Sequence, residues 1–170
     1  GPQEQRQKEM RLIYATADRI NETSGGGVVT FNESEALKSL GPCQVLGREQ
    51  LECDGEEPWK FDEKAKTNLF RMSSSQSYFS TPENEFPKLA HFYAGTFSET
   101  IAMLKFNGCK ITYTAAAHDV EISKKAHLEY GIPYNYPHLI YPELWKRYLQ
   151  GYKDADLLIC PSTHSANVLR

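Results

Sequence analysis

Met10-Arg-Leu-Ile-Tyr-Ala15, then the turn Arg19-Ile-Asn-Glu-Thr-Ser-Gly-Gly-Gly27, then Val28 to Leu40 form the stretch that decides the fold. Leu12, Ile13, Tyr14 and Ala15 make a short unbroken apolar run, the form of a strand covered on both faces of a parallel sheet. The polar stretch ending in three glycines is a turn. From Val28 onward, Val28, Val29, Phe31, Ala36, Leu37 and Leu40 approximate a helical apolar stripe. Gly41-Pro42 ends that helix, with glycine past the last turn and proline beyond it. Strand, glycine turn and helix in this order make a βα unit.

Working outward, the same alternation repeats. A second strand is expected around Val45 and Leu46, a helix over Lys64 to Phe70, and a strand over Ala90 to Ala94. A helix then runs from Thr96 to Phe106, with Thr96 or Ser98 as its cap. Cys109-Lys-Ile-Thr-Tyr-Thr-Ala115 is rich in β-branched and aromatic residues and is the clearest strand. Val120 to Tyr130 is amphipathic and is closed by Gly131. Pro142 to Tyr152 is a helix, and Asp156-Leu-Leu-Ile-Cys160 is a strand leading through Pro161 to Ser165 into another helix. Such alternation predicts an α/β three-layer αβα domain with a mainly parallel sheet.

At 170 residues the chain fits one domain that buries its own core. A net charge of −3 offers no basic footprint, which argues against nucleic acid as a partner. Cys43, Cys53, Cys109 and Cys160 form neither a C-x-x-C pair nor a zinc pattern. Cys109 opens one expected strand and Cys160 closes another, where a thiol reads as a small buried hydrophobe, and reduced thiols fit a cytoplasmic compartment. No run of about 18 apolar residues is present to span a membrane. Residues 1–9 read as a cleavage scar and polar lead-in, and Arg170 as a cut inside a helix, so that residues 10–170 make up the domain.

Gly25, Gly26 and Gly27 open a helix after the first strand. There the backbone can approach a ligand, and unpaired N–H groups meet anions. A plain turn needing positive φ explains the same residues. The Walker pattern is excluded because Val28-Val29 follows where Lys-Ser or Lys-Thr is required. The dinucleotide fingerprint would place its last glycine at Thr30, which disfavours a nicotinamide enzyme.

Three stretches together resemble the retaining GT-B glycosyltransferases. They are Thr23-Ser-Gly-Gly-Gly-Val-Val29, Thr114-Ala-Ala-Ala-His-Asp119 and Ala155-Asp-Leu-Leu-Ile-Cys-Pro-Ser-Thr-His-Ser-Ala166. The resemblance implies the Rossmann-like amino-terminal half of a two-domain hexosyltransferase. This half holds the acceptor, such as a glycan, sugar phosphate or lipid. A carboxyl-terminal donor domain, outside this chain, binds most of a UDP- or GDP-linked sugar. The resemblance further implies no cofactor and no catalytic metal, and an isolated half that does not turn over. Asp154-Ala-Asp156 has the form of a metal site but is read as solvated charge.

By the resemblance, His118 is the catalytic residue, contacting the transferred sugar near the developing charge. Its position at the carboxyl end of a parallel strand is where open α/β sheets place ligands. Asp119 orients that imidazole or caps the next helix, and Ser162 and Thr163 contact sugar or phosphate or supply an N-cap. Lys124, Lys125, Lys146 and Arg147 are solvated helix faces, or a contact for an anionic membrane or a phosphorylated acceptor. His91, His127, His138 and His164 lack metal spacing and are structural by default. A stand-alone Rossmann-like module for a small ligand or partner is the alternative reading of the chain.

Overall fold

The computed structural model describes residues 11–23, 25–53, 60–74, 86–115, 120–133, 142–163 and 167, without the side chains of 70–74, 120–123 and 142. Its elements follow in order as β1 (Leu12–Thr16), α1 (Gly25–Leu40), β2 (Cys43–Leu46), α2 (Lys60–Ser74), β3 (Leu89–Tyr93), α3 (Ser98–Phe106), β4 (Lys110–Thr114), α4 (Val120–Glu129), α5 (Pro142–Asp154) and β5 (Leu157–Ile159). All five strands are parallel, in the order β2-β1-β3-β4-β5. The expected α/β class with a parallel sheet between helices is what the chain adopts. None of the described helices is long and apolar enough to cross a membrane.

Right-handed crossovers explain the layering. The step from β1 to β2 runs opposite to all later steps, so α1 falls on one face and α2, α3 and α5 on the other. Register and the two-residue period sort the side chains. Tyr14 pairs with His91 and His91 with Thr112, all on the α1 face, whereas Ile13, Ala90 and Ile111 point to the opposite face. On that second face Ile13, Phe92 and Tyr113 pack against Phe61, Ile101 and Leu104, each no more than 1% exposed. Tyr113 also meets Tyr152 of α5 edge to face at 4.8 Å, a favoured aromatic arrangement.

Two local expectations are corrected. The apolar stripe of α1 is not the buried one: Val28 and Val29 are each 36% exposed and Leu40 is 64%, while Gly27, Thr30 and Ser34 face the sheet. Beneath the helix the strands offer the hydroxyl and imidazole groups of Tyr14, Thr16 and His91 alongside the hydrocarbon of Leu12 and Val45, so the contact is a mixed one. The second correction concerns the start of α3. Phe97 is its N-cap residue and makes no side-chain cap bond; Thr96 lies buried outside the helix. The cap comes instead from Asp62 of α2. Its carboxylate accepts bonds from the backbone N–H of Glu99 (3.0 Å) and Thr100 (2.9 Å), and from the Thr100 hydroxyl (2.7 Å).

Boundaries differ elsewhere by a few residues. The three glycines belong to the first turn of α1 rather than preceding it, and α2 runs longer than expected at both ends. The close of α4 is as anticipated. Gly131 takes φ 64°, its N–H bonds Leu128 O at 3.3 Å, and Ile132 N–H bonds His127 O at 2.9 Å, the Schellman pattern.

Candidate functional site at the carboxyl end of the sheet

Between β1 and β3 the strand order reverses, and ligands of open α/β sheets bind in the crevice outside the carboxyl ends at such a point. Here the loops after β1, β2 and β3 are tied together. Ala17 N–H donates to Ala94 O (3.0 Å), and Arg48 Nε donates to Ala17 O (2.7 Å). Gly95 has φ 96°, and a Cβ on it would lie 2.5 Å from the Ala17 Cβ, so glycine alone lets the two loops close this tightly. The Tyr113 hydroxyl reaches up through the apolar core to donate to Gly95 O.

The glycines divide into three roles. Among the described residues a Cβ on Gly25 would meet nothing within 4 Å, so there this residue leaves the helix head open to an approaching group. A Cβ on Gly26 would fall 1.9 Å from Oδ2 of Asp18, so the close neighbour at this glycine is the chain's own carboxylate. Gly27 is buried, and its carbonyl accepts from Asn21 N–H (3.3 Å). Thr30 Oγ1 lies 2.7 Å from Arg19 O and 2.9 Å from Gly27 O, sharing its proton between them and holding the turn to the helix. Asp18 places negative charge at the start of α1, whose own first turn carries no acid. Its charge also helps to raise the Tyr93 and Tyr148 phenols, after burial as the larger cause.

Ser162 and Thr163 are exposed and follow β5. They share the carboxyl edge with the glycine turn, but β3 and β4 stand between. Three strand spacings put them roughly 14 Å away laterally, so the structure does not bring the two groups into contact. His118 and Asp119 lie outside the described residues, four and five positions beyond the last residue of β4. Beside the turn, Arg19, Ile20, Arg48, Glu49 and Gln50 line a cavity of about 80 Å³. A larger cavity, about 480 Å³, lies away from the switch point between the loop after β2 and α2, lined by Gln50, Glu52, Lys64 and Asn68 among others.

A second polar cluster was not expected from the sequence. Glu33 of α1 reaches three strands: Oε1 accepts from the Tyr14 hydroxyl (3.0 Å), and Oε2 accepts from Thr114 Oγ1 (2.7 Å) and His91 Nε2 (3.2 Å). His91 Nδ1 lies 2.7 Å from the Thr112 hydroxyl. His91 Nε2 also lies 3.0 Å from the Thr114 hydroxyl, and a proton on Nε2 shared between that oxygen and Glu33, with Nδ1 accepting from Thr112, satisfies the whole set. Burial alone raises the Glu33 carboxyl, but the donors His91, Thr114 and Tyr14 together outweigh it and hold it below the usual range. Burial and Glu33 push the Tyr14 phenol far up. A signal existed: Thr30, Glu33 and Leu37 share one face of the helix, and His91 alternates with apolar Ala90 and Phe92.

Cys43 and Cys109 are unsuited to nucleophilic work. Burial pushes Cys43 up to about 11 and Cys109 up to about 12, leaving almost no thiolate at neutral pH. Among the described residues no group of three His, Cys, Asp or Glu side chains is placed to hold a metal ion. No family model, curated protein or solved structure matches the chain.

Proposed function

We propose that the chain is the acceptor-side, amino-terminal domain of a retaining GT-B-type glycosyltransferase. The observation that carries this reading is the glycine turn at the switch point. Gly25 leaves the head of α1 uncovered at the carboxyl edge of β1, beside the β1/β3 crevice. The strands that carry the other two motifs, β4 and β5, end at the same edge. The glycine turn and the ends of β4 and β5 thus share one rim of a parallel sheet, the rim that a second domain would face across a cleft.

In this reading the chain's own residues bind and orient. Asp18 is an acceptor for sugar hydroxyls, the Gly25 backbone lets a sugar or phosphate come close, and His118 stabilises charge at the reacting carbon. A nucleotide sugar is the co-substrate, UDP- or GDP-linked, and its nucleotide is held by the second domain. Substituting His118→Ala in a protein that joins this domain to such a partner lowers sugar transfer by ~10²-fold or more, the scale of losing one transition-state contact. Steady-state transfer assays with UDP- and GDP-sugars measure it. Tight binding of a small ligand by this chain alone, with no transfer when the second domain is joined, would instead favour a stand-alone binding module.

A further inference from the structure

The attachment of α1 to the sheet differs in kind from an ordinary helix-on-sheet contact. Its fully buried residues, Gly27, Thr30 and Ser34, bring little hydrocarbon; Phe31 and Leu37 are half-buried, and the valines of its sequence stripe face outward. What joins the helix body to β3 and β4 is Glu33, through His91 and Thr114. The Glu33 side chain is 23% exposed and that of His91 6%. Directional bonds of this sort define one position, whereas apolar contact tolerates sliding.

Six residues separate Glu33 from Gly27, about 9 Å along a helix. A rigid helix pivoting at Glu33 therefore moves the glycine turn. The turn itself is bonded to the loop after β1 through Thr30–Arg19 and Asn21–Gly27, so the helix head and that loop travel together. We propose that Glu33, with His91, is an acid-released latch that positions α1 and the glycine turn at its head. This inference is independent of which ligand the turn meets.

Every element around Glu33 contributes to the proton balance. From β1 come Tyr14 and Thr16, from β3 His91 and Tyr93, from β4 Thr112 and Thr114, and from the turn Asp18. On α1 itself, Glu35 and Lys38 pair with each other at the surface. Among the described residues the basic side chain in contact with the Glu33 carboxylate is the His91 imidazole. A proton on Glu33 removes the charge that strengthens its three bonds and turns one of its oxygens into a donor, so that Tyr14, Thr114 or His91 must turn a hydroxyl or change tautomer to accept it. The cluster then loses its match, and the helix loses its pin.

The test is an amide and carboxyl NMR titration of this chain. Asp18→Asn serves as background, because Asp18 touches Gly26 and would titrate locally. In that background the Gly25 and Gly27 amides shift with the same midpoint as the Glu33 carboxyl carbon, below the ordinary glutamate range. With Glu33→Gln added they stop titrating and stand displaced already at neutral pH. The Ile101 and Leu104 amides of α3 stay put throughout. Glycine amides that ignore the Glu33 titration, or that keep their neutral-pH positions in Glu33→Gln, overturn the latch.

Hydrogen exchange supplies the second measurement should Asp18→Asn fail to fold. Glu33→Gln alone lowers protection across α1 by about tenfold relative to α3 at neutral pH. Equal protection in the two helices after that substitution also overturns the proposal.

Discussion

The two faces of the sheet are built on opposite principles. On the α2–α3 side, Ile13, Phe92, Ile101, Leu104 and Ile111 exclude water, and Phe92 and Phe97 meet with ring centres 5.2 Å apart. On the α1 side, Tyr14 and His91 are buried too, yet they hydrogen-bond Glu33, Thr112 and Thr114, and the buried Thr16 hydroxyl accepts from the Asp18 N–H. The difference teaches where stability and adjustability reside. Hydrocarbon packing contributes the bulk of the folding free energy without fixing partners. A bonded polar network contributes less net free energy but specifies a single arrangement. The helix that carries the glycine turn sits on the second kind of surface.

Removing hydrocarbon from the apolar side should produce the largest effect. Phe92→Ala leaves a cavity where two other aromatic rings converge and should cost about 3–5 kcal/mol, read from denaturant unfolding at constant m-value. A loss under about 1 kcal/mol would mean that this face is not the main source of stability.

Asp62→Ala is the intermediate case. Asp62 is 1% exposed on the same side, but its role is at a helix end, where it caps α3 from outside. Truncation leaves the Glu99 and Thr100 backbone donors without their acceptor, while the Thr100 hydroxyl keeps the Asp62 carbonyl at 3.1 Å, and should cost about 2 kcal/mol. Loss of amide protection confined to the first turn of α3 would show the damage to be local. Protection lost equally in α1 would break the division between the faces.

The smallest effect is expected from acid on the polar side. Glu33 titrates below its usual range when folded, so its contribution to stability is complete above the unfolded glutamate value of about 4.3 and disappears as pH falls through the folded value. Unfolding free energy of the unaltered chain should therefore fall more steeply below about pH 4.3 than that of Glu33→Gln. Parallel curves would assign the acid sensitivity to other carboxylates.

Much of the fold was legible because strands and turns carry local signals. The β-branched run from Lys110 to Thr114 could hardly be anything but a strand, and Gly131 announced the end of α4 through the positive φ it adopts. The burial of α1 was not legible in the same way. Its hydrophobic residues suggested one inward face, and a different one is buried, because what a helix buries depends on the sheet beneath it. The cap of α3 was missed for a related reason. A search for caps looks a residue or two upstream, whereas Asp62 lies 37 positions before Glu99. Of the site, the glycine turn was readable as a motif, but the carboxylate packed against its second glycine was not.

By itself the sequence determined that this chain alternates strands and helices, where most of them lie, and that three glycines open the helix after the first strand. Those are consequences of periodicity and of backbone sterics, which act over a few residues. Tertiary structure alone decided that His91, Glu33 and Thr114 meet, that Asp18 sits on Gly26, and that β1 lies beside β3 rather than at an edge. Strand order and side-chain partners depend on contacts between residues tens of positions apart. Such contacts form only after the loops between them have closed, at an entropic cost that no local pattern records.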